Sequence, residues 1–177
     1  MLLGEVIESL GWTDAADAAG IDPAAALLAL ARAARLVRRL RGRVVVTNMG
    51  RALALGQDRA FDEVIHAVRE SGRDRWPWGG HPRDLTLALL AIADGAARTL
   101  ADLPDLVASG RAAFEAGHDR VATYLESSGG SLFGKVTPAD APSVTHALSE
   151  RLSALSDPGA FGVVTPAMRS IARLALL

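Results

Sequence analysis

Cysteine is absent from the 177 residues of the chain. A disulfide framework, a thiolate metal site and a cysteine nucleophile are therefore excluded. Lysine is nearly absent as well, since Lys135 stands alone beside 18 arginines. Arginine is thus the cation with which this chain meets any anionic partner.

Long apolar runs are also lacking. Residues 24–30 and 85–93 are the most apolar stretches, and both are shorter than the roughly 18 residues that a membrane-spanning helix needs. The first residues, MLLGEVIESLGW, contain Glu5 and Glu8 where a secretory signal has basic residues. Half of the residues are apolar, which is enough for a folded core. We therefore expect a cytoplasmic protein with no membrane partner.

Acidic residues are missing from one long segment. Between Pro23 and Gln57 there are seven arginines and no Asp or Glu, which gives that segment a formal charge of +7 and the remainder −8. A segregated charge of this kind is typical of proteins that meet a polyanion or an acidic partner through one segment.

Apolar spacing and capping residues predict helices on both sides of this segment. We expect a helix from Leu2 to Leu10, a short helix at 14–19, and a third that begins at Pro23 after the cap Asp22. Later helices are expected at about 58–70, over 85–127 with breaks near Gly95, Pro104 and Gly117, at 143–155 and at 168–177. Phe61, Val64, Ile65 and Val68 are the expected buried stripe of the 58–70 helix.

The basic segment itself predicts a β-hairpin. LVRRL is followed by a turn at Arg41-Gly42 and then by RVVVT, whose three consecutive valines favour a strand. Thr47 or Asn48 is the expected cap of a following helix that ends near Leu55.

Three helices followed by a basic hairpin and a capped helix resemble the winged helix-turn-helix domains of bacterial MarR and PadR regulators. The resemblance covers Leu2 to Leu55 and includes Ala16-x-x-x-Gly20-Ile21, a small residue, a turn glycine and a core aliphatic. It implies a regulator that binds DNA.

An internal repeat extends this interpretation. VVTNMGRALA (45–54) aligns without gaps to VVTPAMRSIA (163–172), and Pro158-Gly159 supplies a turn before the second copy. The expected fold class is therefore mainly α with small β-hairpins, a winged helix-turn-helix in one or two copies joined by helices. Three parts are expected: a winged-helix domain at 1–56, a connecting helix and tryptophan loop at 57–80, and a helical domain at 81–177 that ends in a second wing-like hairpin and helix.

Two functions stay open for the hairpin. In the first, double-stranded DNA is contacted at its phosphates by Arg32, Arg35, Arg38, Arg39, Arg41 and Arg43. The helix that would read bases begins Pro23-Ala24-Ala25-Ala26 and offers no hydrogen bond, so we expect little base-specific readout. In the second, the arginines protect an edge hairpin that docks on another protein or on a second copy of the chain.

Trp76 and Trp78 lie in a loop rich in proline and glycine. They are either an exposed anchor for a partner or, as we favour, a buried seam between modules.

Other motifs point away from catalysis. The segment from Gly129 to Thr137 nearly matches the phosphate-binding loop motif. Val136, however, occupies the position where that motif needs a hydroxyl to bind magnesium. His66, His81, His118 and His146 have no metal-ligand spacing. We therefore expect no cofactor, no metal and no enzyme activity.

Overall fold

The computed structural model describes residues 5, 8–12, 20–71, 82–127 and 141–177. This part of the chain is mainly helical with a small antiparallel hairpin, which confirms that much of the expected fold class. Its α-helices are α1 (Pro23–Ala33), α2 (Asn48–Ala54), α3 (Asp58–Arg69), α4 (Pro82–Asp94), α5 (Leu103–Ser127), α6 (Ala141–Ser153) and α7 (Pro166–Leu176). The strands β1 (Val37–Leu40) and β2 (Arg43–Val46) lie between α1 and α2, and a 3₁₀ turn, Leu100–Asp102, precedes α5.

Three helices begin at caps that the sequence predicts: Asp22, Thr47, and Thr165, which the repeat aligns with Thr47. The side chain of Asp22 accepts a hydrogen bond from the backbone N–H of Ala24 at 3.0 Å. Thr47 and Thr165 accept from the N–H three residues later, at 3.1 Å and 3.2 Å. Each cap satisfies an N–H group that the first turn leaves without a helical partner. Local rules thus place the starts of α1, α2 and α7.

The main core forms around α4, which packs against α5, α6 and α7. Ile92 of α4, Leu103 of α5, Leu148 of α6 and Met168 of α7 are fully buried there. Helix α3 joins this core through Val68 and packs along α7. Burying large apolar side chains is the main stabilising contribution of such a core.

Two smaller clusters connect the amino-terminal residues to the carboxyl-terminal ones. Trp12 meets Phe161 edge to face, with ring centroids 5.2 Å apart, and its Nε1 donates to the carbonyl of Asp157 at 3.2 Å. Leu30 of α1 packs in a cluster with Val64 of α3, and Ile171 of α7 lies against it. Both contacts cross the boundaries predicted at residues 56 and 80, and the division into three domains stays a prediction.

Two local expectations are wrong. Phe61 is 48% exposed rather than buried, because α3 turns Ala60, Val64, Ala67 and Val68 inward instead. The break expected near Gly117 is also wrong, since α5 runs through it without interruption. Pro104 lies in the first turn of α5, where its missing N–H costs no helical hydrogen bond.

The predicted second hairpin is not formed at its expected position. Residues 153–157 end α6 and enter a turn, so they supply no strand to pair across Pro158-Gly159. Val163 instead forms an isolated antiparallel bridge with Thr99. The repeat therefore reproduces the threonine cap and the following helix, whereas the hairpin is specific to the first copy.

Several expectations lie outside the described residues. These are the 14–19 helix with Ala16, the tryptophan loop with Trp76 and Trp78, the side chains of His81 and His118, and the Gly129 to Thr137 segment. Among the residues that are described, no helix is long and apolar enough to cross a membrane.

Candidate nucleic-acid interface

The basic segment forms the predicted hairpin. Val37 pairs with Val46, and the pairing continues antiparallel to Leu40 and Arg43. Arg41 and Gly42 form the turn, with φ of 48° and 79°. Two central residues with positive φ define the type I′ turn, whose twist matches that of the two strands.

Thr47 connects the base of this hairpin to the start of α2. Its hydroxyl lies 2.6 Å from the carbonyl oxygen of Arg35 and 3.1 Å from that of Leu36. The backbone N–H of Thr47 also donates to the Leu36 carbonyl at 2.9 Å. The same hydroxyl oxygen accepts from the N–H of Gly50, so one side chain both caps α2 and holds the hairpin against it.

Gly50 allows the close approach of α2 to this base. A Cβ at this position would collide with the carbonyl oxygen of Leu36 and would come within 2.8 Å of Cγ1 of Val46. Real Cβ atoms do not approach other heavy atoms so closely. The glycine is therefore required by packing, and Val46 is the strand residue that turns toward α2.

The pairing register divides the hairpin side chains between two faces, because directly paired residues lie on the same side of a sheet. The first face has Val37, Arg39, Val44 and Val46, and the second face has Arg38, Leu40, Arg43 and Val45. Each face thus presents both guanidinium and aliphatic groups.

The hairpin arginines are exposed and unpaired within the described part of the chain. Arg38, Arg39, Arg41 and Arg43 are all exposed, and no described residue forms an ion pair or side-chain hydrogen bond with them. Arg32 and Arg35 lie at the hairpin base and are exposed as well. Within the described ranges, Arg35 is the one of these six with an acidic neighbour, Glu63, at 4.0 Å.

Three arginines of the helical body contact the ends of neighbouring helices. Arg69 donates to the carbonyls of Leu174 and Ala175 at the end of α7. Arg173 donates to the Ala93 carbonyl at the end of α4 at 3.1 Å, and Arg151 donates to the Ala67 carbonyl near the end of α3. Such contacts satisfy carbonyls that helix ends leave unbonded. These three arginines thus have structural partners, and the hairpin arginines have none among the residues that the structure describes.

Two of the exposed arginines occupy strained backbone positions. Among the described residues, Arg35 (φ 55°) and Arg41 (φ 48°) are the non-glycine residues with positive φ. This left-handed region costs an ordinary L-residue roughly 1–2 kcal/mol, and glycine or asparagine occupies it more readily. Strained residues of this kind are concentrated at functional sites.

Helix α1, which would read bases in a winged-helix protein, is largely covered. It packs on α6 and α3, and only Ala25 and Arg32 of its residues are exposed. Ala25 has no hydrogen-bonding group, which leaves Arg32 as the exposed residue of α1 that can donate to a base edge or a phosphate. Weak base-specific readout stays a prediction.

Exposed aliphatic groups on the hairpin were not anticipated from the sequence. Leu40, Val44 and Val46 are 48%, 52% and 56% exposed. The three consecutive valines indicated a strand correctly. The exposed aliphatic groups lie on both faces, with Leu40 on the second face and Val44 and Val46 on the first.

The described residues show no metal site, because no three of their His, Asp or Glu side chains come together. Comparison with protein-family models, curated proteins and solved structures finds no match for the chain. The resemblance to winged-helix regulators therefore stays a prediction, and the hairpin is the candidate site.

Proposed function

We propose that this protein binds double-stranded DNA, in the manner of a regulator, through phosphate contacts made by its basic hairpin and with little base-specific readout. The role is non-catalytic. Arg38, Arg39, Arg41 and Arg43 supply the contacts, and Arg32 and Arg35 assist from the hairpin base.

One observation supports the proposal above others. Four exposed guanidinium groups stand on one short hairpin and have no partner among the described residues, although the protein as a whole is slightly acidic. Free guanidinium groups suit phosphate oxygens, which they contact through charge-assisted hydrogen bonds. Arginine also occupies the strained turn position 41, where asparagine or glycine would be less strained, and strained residues are concentrated at functional sites.

The test is the salt dependence of binding to a labelled duplex of arbitrary sequence, measured by fluorescence anisotropy. The wild-type protein binds at low salt, and the variant Arg39→Ala/Arg41→Ala/Arg43→Ala binds more weakly. Each lost phosphate contact lowers the slope of log K against log salt by about 0.9, so three lower it by up to about 2.7.

A matched control removes exposed arginines outside the hairpin. Arg59→Ala/Arg98→Ala changes two exposed positions and leaves the slope close to that of the wild type. If the wild-type protein shifts neither random nor genomic duplex at low salt, the DNA-binding proposal is wrong.

A second candidate function is a protein-interaction or self-assembly module, and the exposed Leu40, Val44 and Val46 favour it. Exposed aliphatics on an unpaired edge are a common feature of docking strands. Trp76 and Trp78, outside the described residues, are further candidates for the partner contact. Sedimentation at rising concentration separates the two: self-assembly that Val44→Ser/Val46→Ser abolishes, together with no duplex binding, supports this alternative.

A further inference from the structure

Leu40 occupies a distinctive place on the hairpin. It forms, with Arg43, the last cross-strand pair before the turn, and it is 48% exposed. It lies on the second face, away from the face on which Val46 approaches α2. A leucine at the outer end of a ribbon gains no core packing there.

Two arginines lie beside this leucine on the same face. Arg43 is its direct cross-strand neighbour, and Arg38 lies two residues back along β1. Paired positions are about 5 Å apart across the strands, and alternate positions are about 6.7 Å apart along one strand. Both guanidinium groups can therefore contact phosphates close to the point where Leu40 meets the duplex.

The charge and composition of the second face indicate which partner it can bind. A second copy of the hairpin would bring like charges together, because residues 23–57 contain no acid. Single-stranded nucleic acid is bound largely by stacking on aromatic side chains, and the hairpin has none. A duplex, with regularly spaced phosphates on both sides of a groove, is the occupant that matches this surface.

We propose that Leu40 inserts between base steps of the bound duplex, so that this protein bends DNA as well as contacting its phosphates. The inference rests on the proposed function and adds a deformation to it. Apolar wedges that partly unstack a base step kink the duplex, and the bend brings more phosphates within reach of the protein. Free energy lost in unstacking is offset by burial of the leucine and by these added contacts.

A side chain that wedges between bases also makes the protein prefer easily deformed duplexes over stiff ones, without any recognition of base edges. Deformable sites such as TA steps or a nick unstack more easily than stiff sequence. We expect the wild-type protein to prefer a nicked duplex over the intact one by about tenfold, in the range that such deformation energies allow.

The experiment measures bending of a short duplex labelled at both ends, by energy transfer between the labels, at salt concentrations where each variant saturates. Binding of the wild-type protein raises the transfer efficiency. Leu40→Ser still binds through the hairpin arginines, with a salt slope no steeper than that of the wild type, but it raises the efficiency little and loses the preference for the nicked duplex. Leu40→Ala serves as a second variant, and circular dichroism confirms that both fold.

Val44→Ser is the matched control, since Val44 is equally exposed but lies on the first face. It bends DNA as the wild-type protein does. Bending by Leu40→Ser that equals the wild type overturns the wedge, as does wild-type binding without any bend, and both leave the phosphate contacts standing. Failure of the wild-type protein to bind any duplex overturns the proposed function and the wedge together.

Discussion

The hydroxyl of Thr47 lies 2.6 Å from the carbonyl oxygen of Arg35, and this contact joins the strained entry to the hairpin with the start of α2. Arg35 has a φ of 55°, and its amide N–H donates to the carbonyl of Arg32 at the end of α1. One threonine thus connects α1, the hairpin and α2 at a single point. The position of the basic hairpin on the helical body depends on it.

Replacement of Thr47 by valine should therefore destabilise the protein. Valine keeps the shape but removes both the cap of α2 and the bond to Arg35, and loss of a cap costs about 0.5–2 kcal/mol. Denaturant unfolding measures the change. Ser170→Ala is the control, because the Ser170 hydroxyl bonds the Pro166 carbonyl on an exposed helix face and its loss should matter little. An unchanged midpoint for Thr47→Val would contradict this description of the hairpin base.

Two glycine substitutions should have opposite effects. Gly50→Ala places a Cβ against the Leu36 carbonyl, and crowding of this kind costs about 1–3 kcal/mol. Gly117→Ala meets nothing within 4 Å inside α5, and alanine in a helix interior is favoured over glycine by up to about 1 kcal/mol. Thermal unfolding of both variants measures the difference. The contact at the hairpin base is wrong if Gly50→Ala is as stable as Gly117→Ala.

Arg41→Asn should separate stability from binding. Asn-Gly is the preferred pair for a type I′ turn, so the substitution relieves strain at φ 48° and raises stability by up to about 1 kcal/mol. It also removes a phosphate contact and lowers the salt slope of duplex binding by about 0.9. Arg59→Asn, an exposed position on α3, is the control and leaves the slope unchanged. A variant that gains stability with no loss of duplex affinity would show that Arg41 has no role in binding.

Asp102 should make part of the stability pH-dependent. Its Oδ2 accepts hydrogen bonds from the N–H groups of Thr99 at 2.7 Å and Arg98 at 2.9 Å. The bond from Thr99, followed by that from Arg98, holds the pKa of Asp102 below its ordinary value. The contribution is therefore fully present above the pKa of the unfolded chain, about 3.9, and is lost as pH falls through the lower folded pKa.

The measurement compares Asp102→Ala with the wild type by urea unfolding between pH 7 and pH 2. The variant is less stable near neutral pH by about 0.5–2 kcal/mol, as expected for a lost cap, and the two proteins converge in acid. Asp62→Ala, an exposed position in the middle of α3, controls for the loss of a carboxylate as such. A difference that stays constant down to pH 2 would contradict the assigned role.

Features governed by neighbouring residues could be predicted from the sequence. Local rules that act within four residues govern Asp22 before Pro23, the Arg41-Gly42 turn before a valine-rich strand, and Thr47 before a helix. For the same reason the hairpin register and its basic turn could be anticipated. Helix α7 after Thr165 belongs to the same group.

Features governed by distant contacts could not be predicted from the sequence. Phe61 and Ala60 both fit a helical stripe, and only the packing of α3 on α7 decides which is buried. Val163 pairs with Thr99 across more than sixty residues, which no local pattern indicates. At the candidate site, the basic residues could be identified from the sequence, but the 48% exposure of Leu40 depends on how the described helices pack around the hairpin.

The central claim is that the basic hairpin is the surface that meets duplex DNA, and nuclear magnetic resonance tests it most directly. The protein is labelled with ¹⁵N and titrated with a short duplex at low salt, and shifts are followed at the backbone amides and arginine Nε–Hε groups. We predict the largest changes at residues 37–46 and at the side chains of Arg38, Arg39, Arg41 and Arg43, with small changes at Arg69 and Arg173. Shifts that spare the hairpin while the duplex binds elsewhere would contradict the account.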